Sequence, residues 1–123
     1  MKTVSTEKAP AAIGPYTQGK IVGGIVYTSG QIPIDPVAGV VTGKEIVAQT
    51  EQVIQNLGAV LHAAGSDFDK VFKTTCFLAE MADFAAFNQI YAKYFTSKPA
   101  RSCVAVKSLP KDVLVEIEVI AEI

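Results

Sequence analysis

The chain alternates hydrophobic and polar residues in short stretches that predict β-strands. Residues 18–22 and 25–29 flank Gly23 and Gly24, and a glycine pair suits a hairpin turn because glycine tolerates positive φ at both central positions. Val71–Leu78 is rich in β-branched and aromatic residues, which favour strands. These patterns predict a hairpin near the start of the chain and a third strand in its second half.

Two further strands are predicted near the end of the chain. Residues 101–106 form the first, residues 109–112 a turn, and residues 114–123 the last strand. Successive side chains of a strand point to opposite faces of the sheet. In the last strand one face carries Val115, Ile117, Val119, Ala121 and Ile123, and the other carries Leu114, Glu116, Glu118, Ile120 and Glu122.

Two other segments follow the 3.6-residue period of an amphipathic helix. Thr-Gly-Lys-Glu at 42–45 has the pattern of a capping box ahead of the first helix, and Gly65 supplies its left-handed end. Asp83 is the predicted N-cap of the second helix, and Pro99 closes that segment. The apolar stripes are Ile46, Thr50, Val53, Leu57, Val60, Leu61 and Ala64 in the first helix and Phe84, Phe87, Tyr91, Tyr94 and Phe95 in the second.

The order hairpin, helix, strand, helix, strand, strand predicts one domain over residues 1–123. Its fold class is α/β (α+β): a two-layer sandwich in which two helices cover one face of a mixed sheet. The other face is then left uncovered. We expect it to present Arg101, Cys103 and Ala105 on one strand and Glu116, Glu118 and Ile120 on another.

Composition adds an argument for assembly. The chain has 123 residues, of which 50% are hydrophobic and 19% charged, whereas an average soluble protein has about 25% charged residues. A small domain has a high surface-to-volume ratio and should need more charge than average. We therefore expect an obligate oligomer, since its interfaces resemble a domain core cut in half. A slightly apolar monomer is the alternative.

The same counts exclude several classes of protein. The longest uncharged stretch, residues 52–66, contains five polar residues and is no membrane span. Residues 1–10 lack the apolar core of a secretory signal, and two cysteines make no disulfide framework, so we expect a reducing, cytoplasmic location. A net charge of -1 gives no basic footprint for nucleic acid, and a single histidine excludes a multi-histidine metal site.

Arg101 and Glu116 are the residues best suited to chemistry. The guanidinium group of arginine presents a planar set of donors that matches a carboxylate bidentately. Glu116 shares its strand face with Glu118, and two neighbouring carboxylates can serve as a general acid–base pair. The structural alternatives are an ion pair between Arg101 and Glu116 and a solvated sheet face that carries both glutamates.

The remaining reactive side chains are interpreted as structural. Cys103 lies two residues from Arg101 and would pack there, although a nearby cation favours thiolate. Cys76 belongs to the core, and His62 lies near the end of the first helix as a surface or capping residue. No Gly-x-Gly-x-x-Gly motif joins a strand to a helix, so no nucleotide cofactor is expected.

Seven short segments in order resemble the Rid family, the YjgF-like reactive intermediate deaminases, and most closely its RidA branch. The resemblance covers nearly the whole chain. The segments are Ala-Pro-Ala-Ala-Ile-Gly-Pro-Tyr at 9–16, Thr-Ser-Gly-Gln-Ile-Pro at 28–33, Lys-Thr-Thr at 73–75, Asn-Gln-Ile-Tyr at 88–91, Pro-Ala-Arg-Ser-Cys at 99–103, Leu-Pro-Lys-Asp at 109–112 and Val-Glu-Ile-Glu at 115–118.

This resemblance implies a chorismate-mutase-like fold and a homotrimer, in which the three sheets form a central barrel with clefts between subunits. It also implies hydrolysis of 2-imino or 2-enamino acids, such as 2-aminoacrylate, 2-iminobutanoate and 2-iminopropanoate, to 2-keto acids and ammonia. This activity would protect pyridoxal-phosphate enzymes that release such imines. Neither a metal nor another cofactor is implied.

The resemblance also assigns roles to residues. Arg101 would hold the substrate carboxylate with help from the backbone N–H of Cys103, and Glu116 would position water. Tyr16 resembles a cleft-wall tyrosine contributed across the subunit interface. Asn88, Ser29 and Gly30 resemble other lining positions. One departure is Lys98, where many relatives carry an aromatic residue, and it alters the shape and charge of the cleft rim.

Two other functions remain open from the sequence. Some members of the family are described as translation inhibitors or endoribonucleases, but the net charge and the absence of a basic, aromatic-interleaved stripe argue against nucleic acid here. The other is a non-catalytic module that binds a keto acid or another small carboxylate. Such a module would need Arg101 but not Glu116.

Overall fold

Six strands and two helices make up the fold of the computed structural model, which describes residues 1–123. Three short 3-10 turns, Phe68–Lys70, Met81–Asp83 and Pro110–Asp112, connect some of these elements. Neither helix has both the length and the apolar character that a membrane-spanning helix needs. In chain order the elements are β1 Lys2–Val4, β2 Gly19–Val22, β3 Ile25–Thr28, α1 Ile46–Ala63, β4 Val71–Leu78, α2 Phe84–Tyr94, β5 Ala100–Ala105 and β6 Val115–Glu122.

The strands form one mixed sheet in the order β1-β2-β3-β6-β4-β5. Only the β4–β5 pair is parallel, and α2 lies between these two strands in the chain, as a parallel crossover requires. The predicted hairpin is confirmed with its turn at Gly23 and Gly24. Strand β1 was not predicted, because a three-residue edge strand is too short to show a period.

Both helices cover the same face of the sheet, as predicted. The α1 stripe is entirely buried, and β6 buries every second residue from Val115 to Ala121. Ile123 was predicted to continue that face, but it lies beyond the strand and is 43% exposed. In α2 the predicted stripe divides, since Phe87 and Tyr91 are buried whereas Phe84 is only partly covered.

The sequence predicts the C-terminal end of α1 correctly and its N-terminal cap incorrectly. Gly65 adopts φ 82°, and the N–H groups of Gly65 and Ser66 donate to the carbonyls of His62 and Leu61, which is a Schellman motif as the glycine predicts. The capping box predicted at the N-terminal end is not present. Glu45 is the N-cap without a side-chain bond, and the Thr42 hydroxyl donates to the side chain of Gln52 instead.

The start of α2 is also placed correctly but capped differently. Asp83 directly precedes the helix, yet its side chain makes no capping bond. It ends the 3-10 turn Met81–Asp83, whose helical backbone leads straight into α2. The incoming turn thus replaces the side-chain cap that the sequence predicts.

The uncovered face carries Glu116, Glu118 and Ile120, as predicted, but not Arg101, Cys103 and Ala105. Arg101 and Cys103 of β5 pair with Thr74 and Cys76 of β4, whose side chains are buried beneath the helices. Arg101 and Cys103 therefore point to the helix side. Glu116 pairs with Phe77 and points to the opposite side. Period 2 within a strand does not set its phase against a neighbouring strand, and a shift of one residue exchanges the two faces.

Candidate functional site

Arg101 lies on the edge strand β5 beside α2. Its Nη1 donates a hydrogen bond to Oδ1 of Asn88 at 2.7 Å. No carboxylate lies within 4.0 Å of it, because the only ion pair of the chain joins His62 to Asp67. The predicted alternative, an ion pair with Glu116, is therefore wrong. A partly buried guanidinium group that uses one of its five N–H donors is suited to bind an anion.

Two aromatic rings of α2 surround the same guanidinium group. The Cζ atom of Arg101 lies 4.6 Å from the ring centre of Tyr91 and 5.4 Å from that of Phe84. Both distances are within the range of a cation–π interaction. Two rings and one amide thus contact the cation, and its other N–H groups make no hydrogen bond within the chain.

Cys103 follows Arg101 on the same face of β5 and is partly buried. Burial raises the pKa of its thiol, and the charge of Arg101 opposes part of that rise. The thiol is thus protonated at neutral pH, which agrees with the packing interpretation.

The N–H of Cys103 points to the open edge of the sheet. The N–H of Val106 donates to the carbonyl of Leu78 in β4 at 2.9 Å. Because N–H groups alternate between the two sides of a strand, those of Arg101 and Cys103 point away from β4. A donor at the open edge, two residues from the guanidinium group, can assist it in holding an anion.

Glu116 forms a second centre on the uncovered face of the sheet. Burial raises the pKa of its carboxyl group above the usual range, and the neighbouring Glu118 carboxylate raises it further. A carboxyl group with a raised pKa exchanges protons closer to neutrality, as a general acid or base requires.

The loop after β3 lies against this carboxyl group. A Cβ atom placed on Gly30 would be 2.9 Å from the carboxyl carbon of Glu116. The φ of Gly30 is not positive, so glycine is needed here for the close approach of Glu116 and not for its backbone freedom. The Ser29 hydroxyl donates to the carbonyl of Thr17, so it ties the loop to the preceding segment.

Tyr16 stands with Gly30 at a cavity of about 540 Å³. The tyrosine is 53% exposed and its ring borders the opening together with Ile13, which is 86% exposed. Both rest on a loop with no regular structure. Apolar side chains this open at the rim of a cavity are typical of surfaces that bind another molecule.

Two buried amides that hold these loops were not predicted from the sequence. Gln18 is 4% exposed and its side chain binds the backbone of Thr6, Ala9 and Pro10, which fixes the segment leading to Tyr16. Asn56 is fully buried in α1, and its Nδ2 donates to the carbonyls of Ile32 and Ile34 just beyond Gly30. Polar residues within otherwise apolar patterns were the available signal.

The candidate residues thus form two groups in one chain. Arg101, Asn88 and Cys103 meet at the β5 edge on the helix side, whereas Glu116 and Gly30 lie on the opposite face near Tyr16. A single chain does not bring Arg101 and Glu116 together.

The other reactive residues lie outside both groups. His62 is exposed at the end of α1 and binds Asp67 at 3.2 Å. Cys76 is buried in the core, where burial raises the pKa of its thiol to about 12. No group of three or more histidine, cysteine, aspartate or glutamate side chains is arranged to hold a metal ion.

Nearly the whole chain is similar to known proteins. The chain matches the family described as endoribonuclease L-PSP over residues 6–123. AldR of Lactococcus lactis, named as a candidate regulator, is 59% identical over 100% of this chain and 98% of its own length. The 2-iminobutanoate/2-iminopropanoate deaminase of Salmonella typhimurium is 50% identical over 98% of this chain and 96% of its own length. The crystal structure of the YjgF gene product of Escherichia coli has a TM-score of 0.94 and 47% identity, covering 99% of this chain and 98% of that one.

Proposed function

The chain belongs to the L-PSP family that includes the YjgF and Rid proteins, and from this premise we propose that it hydrolyses 2-imino and 2-enamino acids to 2-keto acids and ammonia. Relatives of this chain include proteins named as deaminases and one named as a candidate regulator, so the family alone leaves the activity open. The observation that carries the proposal is Arg101, a cation without a protein anion beside it.

The substrate carboxylate binds where Arg101, Asn88 and Cys103 meet at the β5 edge, which we call the Arg101 group. The N–H groups of the guanidinium donate to it bidentately, and the N–H of Cys103 at the open edge adds a third donor. Asn88 uses Oδ1 for Arg101, so its amide N–H groups remain available for the ligand. Tyr16 forms a wall of the cleft.

Glu116 acts on water. As a carboxylate it accepts a proton from the water molecule that attacks the imine carbon, and the imine nitrogen becomes protonated as the carbon–oxygen bond forms. The resulting carbinolamine then expels ammonia as the carbonyl forms. A carboxyl group with a raised pKa can supply and recover these protons near neutrality. An enamine first takes a proton at its terminal carbon and becomes the imine.

We propose a homotrimer that joins the two groups. Arg101 is on the edge and helix side of the sheet, whereas Glu116 is on its uncovered face. The contact that joins them is heterologous, the β5 edge of one subunit against the uncovered face of the next, and such contacts form a ring when the rotation between subunits closes. The uncovered face supports this arrangement because Phe77, Ile120 and Val104 leave it partly apolar. Three such faces would line a central barrel.

The test couples the purified protein to a threonine dehydratase and times the release of 2-ketobutyrate. The parent chain should accelerate release, and Arg101→Ala should lower kcat/KM by about two orders of magnitude, because several charge-assisted hydrogen bonds of roughly 1.5–3 kcal/mol each are lost. Arg101→Lys should not restore the rate fully, since a point charge does not reproduce the planar donors. Release at the uncatalysed rate by the folded parent would refute the proposal.

A module that binds small carboxylates without turnover is the second candidate. The Arg101 group is complete within one chain and does not touch Glu116, so it can bind a carboxylate independently of that residue. The resemblance to a candidate regulator favours the same candidate. Calorimetry with 2-ketobutyrate together with the coupled assay separates the two. A binding module should bind the keto acid without accelerating its release, whereas a deaminase should do both, and its Glu116→Gln variant should keep binding but lose turnover.

A further inference from the structure

We propose that Tyr91 and Phe84 are positioning residues that hold the Arg101 guanidinium group in one orientation. Its N–H groups are then already in place when the substrate carboxylate binds. The two rings act through Arg101 and do not need to touch the substrate. This inference deepens the proposed function and depends on it for the identity of the bound anion.

One stripe of α2 supplies the hydrogen bond and both ring contacts of the guanidinium group. Phe84, Asn88 and Tyr91 are spaced i, i+4 and i+7, so they lie on one face of the helix. The two rings lie 5.4 and 4.6 Å from Cζ of Arg101, and the Asn88 side chain accepts its Nη1–H at 2.7 Å. The rings and the amide together restrain both the position and the orientation of the cation.

The ring of Tyr91 is itself held firmly. Its hydroxyl group makes a 2.7 Å hydrogen bond with the hydroxyl of Thr74, and its ring stacks on Phe95 with the ring centres 4.4 Å apart. Thr74 is the register partner of Arg101 across the β4–β5 pair. The same rung of the sheet therefore anchors both the arginine and the ring that covers it.

This arrangement reduces the cost of binding. A free arginine side chain must be ordered when it binds a ligand, and a preorganised one has lost that freedom on folding. Guanidinium is weakly hydrated and tolerates an aromatic face, whereas an ammonium group would have to give up much of its water. The rings thus favour arginine over lysine at this position.

The first readout does not need a ligand. Aromatic rings shift the NMR signals of nearby protons, so the side-chain protons of Arg101 should show ring-current shifts in the parent protein. Tyr91→Phe keeps the ring and should keep those shifts, whereas Tyr91→Leu should lose most of them. Tyr94→Leu is the matched control, because Tyr94 lies on the same helix and contacts Phe68 instead of Arg101.

The second readout is binding and turnover. Tyr91→Leu should weaken 2-ketobutyrate binding about five- to tenfold, the range expected for a cation–π interaction that is partly desolvated. The KM for the imine should rise with kcat nearly unchanged, since the carboxylate is held equally in the ground state and the transition state. Tyr91→Phe should keep the parent KM, because the ring beside Arg101 remains, and this result would assign the loss in Tyr91→Leu to the ring and not to the hydroxyl bond with Thr74.

Phe84→Leu provides the same readouts at a less buried position if Tyr91→Leu does not fold. Parent-like ring-current shifts together with parent-like ligand affinity in the folded leucine variant would overturn the inference. If Arg101→Ala binds 2-ketobutyrate like the parent, the proposed function fails instead, and the ring-current shifts still decide whether the rings hold the arginine.

Discussion

Arg101 and Glu116 owe their chemistry to opposite environments. Arg101 is a cation held by rings and an amide with no anion within ion-pair distance. Glu116 is an anion whose carboxyl group is partly desolvated and lies beside a second carboxylate. Each is costly for one chain to maintain, because an unpaired charge that loses water is destabilised. A ligand that brings a carboxylate to one and a water molecule to the other relieves both.

Replacing Gly30 by alanine tests how closely the loop and Glu116 must approach. The added methyl group would occupy the place of the carboxyl group, so Glu116 must move. We expect kcat/KM to fall about a hundredfold, as displacements near 1 Å can cause in active sites. Gly23→Ala is the control. The turn leaves open space for the methyl group, but Gly23 has φ 57°, so alanine should strain the backbone there and lower stability without lowering turnover. Equal turnover in the Gly30 variant and the parent would contradict the role of this contact.

Glu118 should set the pH range in which Glu116 works. Its negative charge raises the pKa of the Glu116 carboxyl group, so Glu118→Gln should lower that pKa. The base form of Glu116 is the carboxylate, and activity falls as pH drops through its pKa. The acid limb of the profile of kcat/KM against pH should therefore move to lower pH in Glu118→Gln. Glu122→Gln, farther along the same strand, should leave the limb in place, and an identical shift in both variants would argue against a specific effect of Glu118.

At the scale of elements, α2 serves two purposes at once. Phe87 packs into the core together with Phe95, which directly follows the helix, whereas Phe84 and Asn88 project toward Arg101, and Tyr91 belongs to both sets. The apolar period of the sequence correctly predicts the helix and the burial of Phe87 and Tyr91, but it misses the buried Ile90 and includes the partly exposed Phe84. It does not distinguish an aromatic ring that packs in the core from one that covers a cation, because both require an apolar side chain at the same spacing.

The two ends of α1 give a direct test of their caps. Gly65→Ala should lower the free energy of unfolding by about 1 kcal/mol or more, since alanine is strained at φ 82° in the Schellman motif. Thr42→Ala should cost less than about 0.5 kcal/mol, because its hydroxyl bonds to Gln52 and does not cap the helix. Urea unfolding followed by circular dichroism measures both. A larger loss from Thr42→Ala than from Gly65→Ala would mean that the N-terminal cap matters more than its geometry indicates.

At the scale of the whole molecule, the separation of the two groups makes the proposed site depend on assembly. Sedimentation should give a mass near three times 13.0 kDa. A stable monomer at micromolar concentration would contradict both the interface and the shared cleft.

Mixing two inactive variants tests whether the site is shared between subunits. Arg101→Ala and Glu116→Gln should each be inactive alone, but in randomly mixed trimers about a quarter of the clefts pair an intact arginine with an intact glutamate from the neighbour. Mixing equal amounts by unfolding and refolding should thus restore about a quarter of the parent activity. No recovery in trimers shown to be mixed by mass spectrometry would place both residues in the same subunit's cleft.

The sequence by itself determined most of the local structure. The hairpin at Gly23 and Gly24, the end of α1 at Gly65 and the bounds of β4 all follow from the chemistry of a few residues and the period of their neighbours. The family follows from short segments in order along the chain. The candidate residues could also be predicted from the sequence, since the arginine and the glutamate lie in the segments that carry the resemblance.

Only the tertiary structure decided which of these residues meet. Strand β5 lies at the edge of the sheet and is nowhere fully buried, so its sequence carries no strong apolar phase to show which face Arg101 takes. Its parallel register with β4, set by the crossover through α2, turns Arg101 toward the helix and away from Glu116. A period of two specifies alternation within a strand, whereas the face each residue occupies depends on pairing with strands far away in sequence.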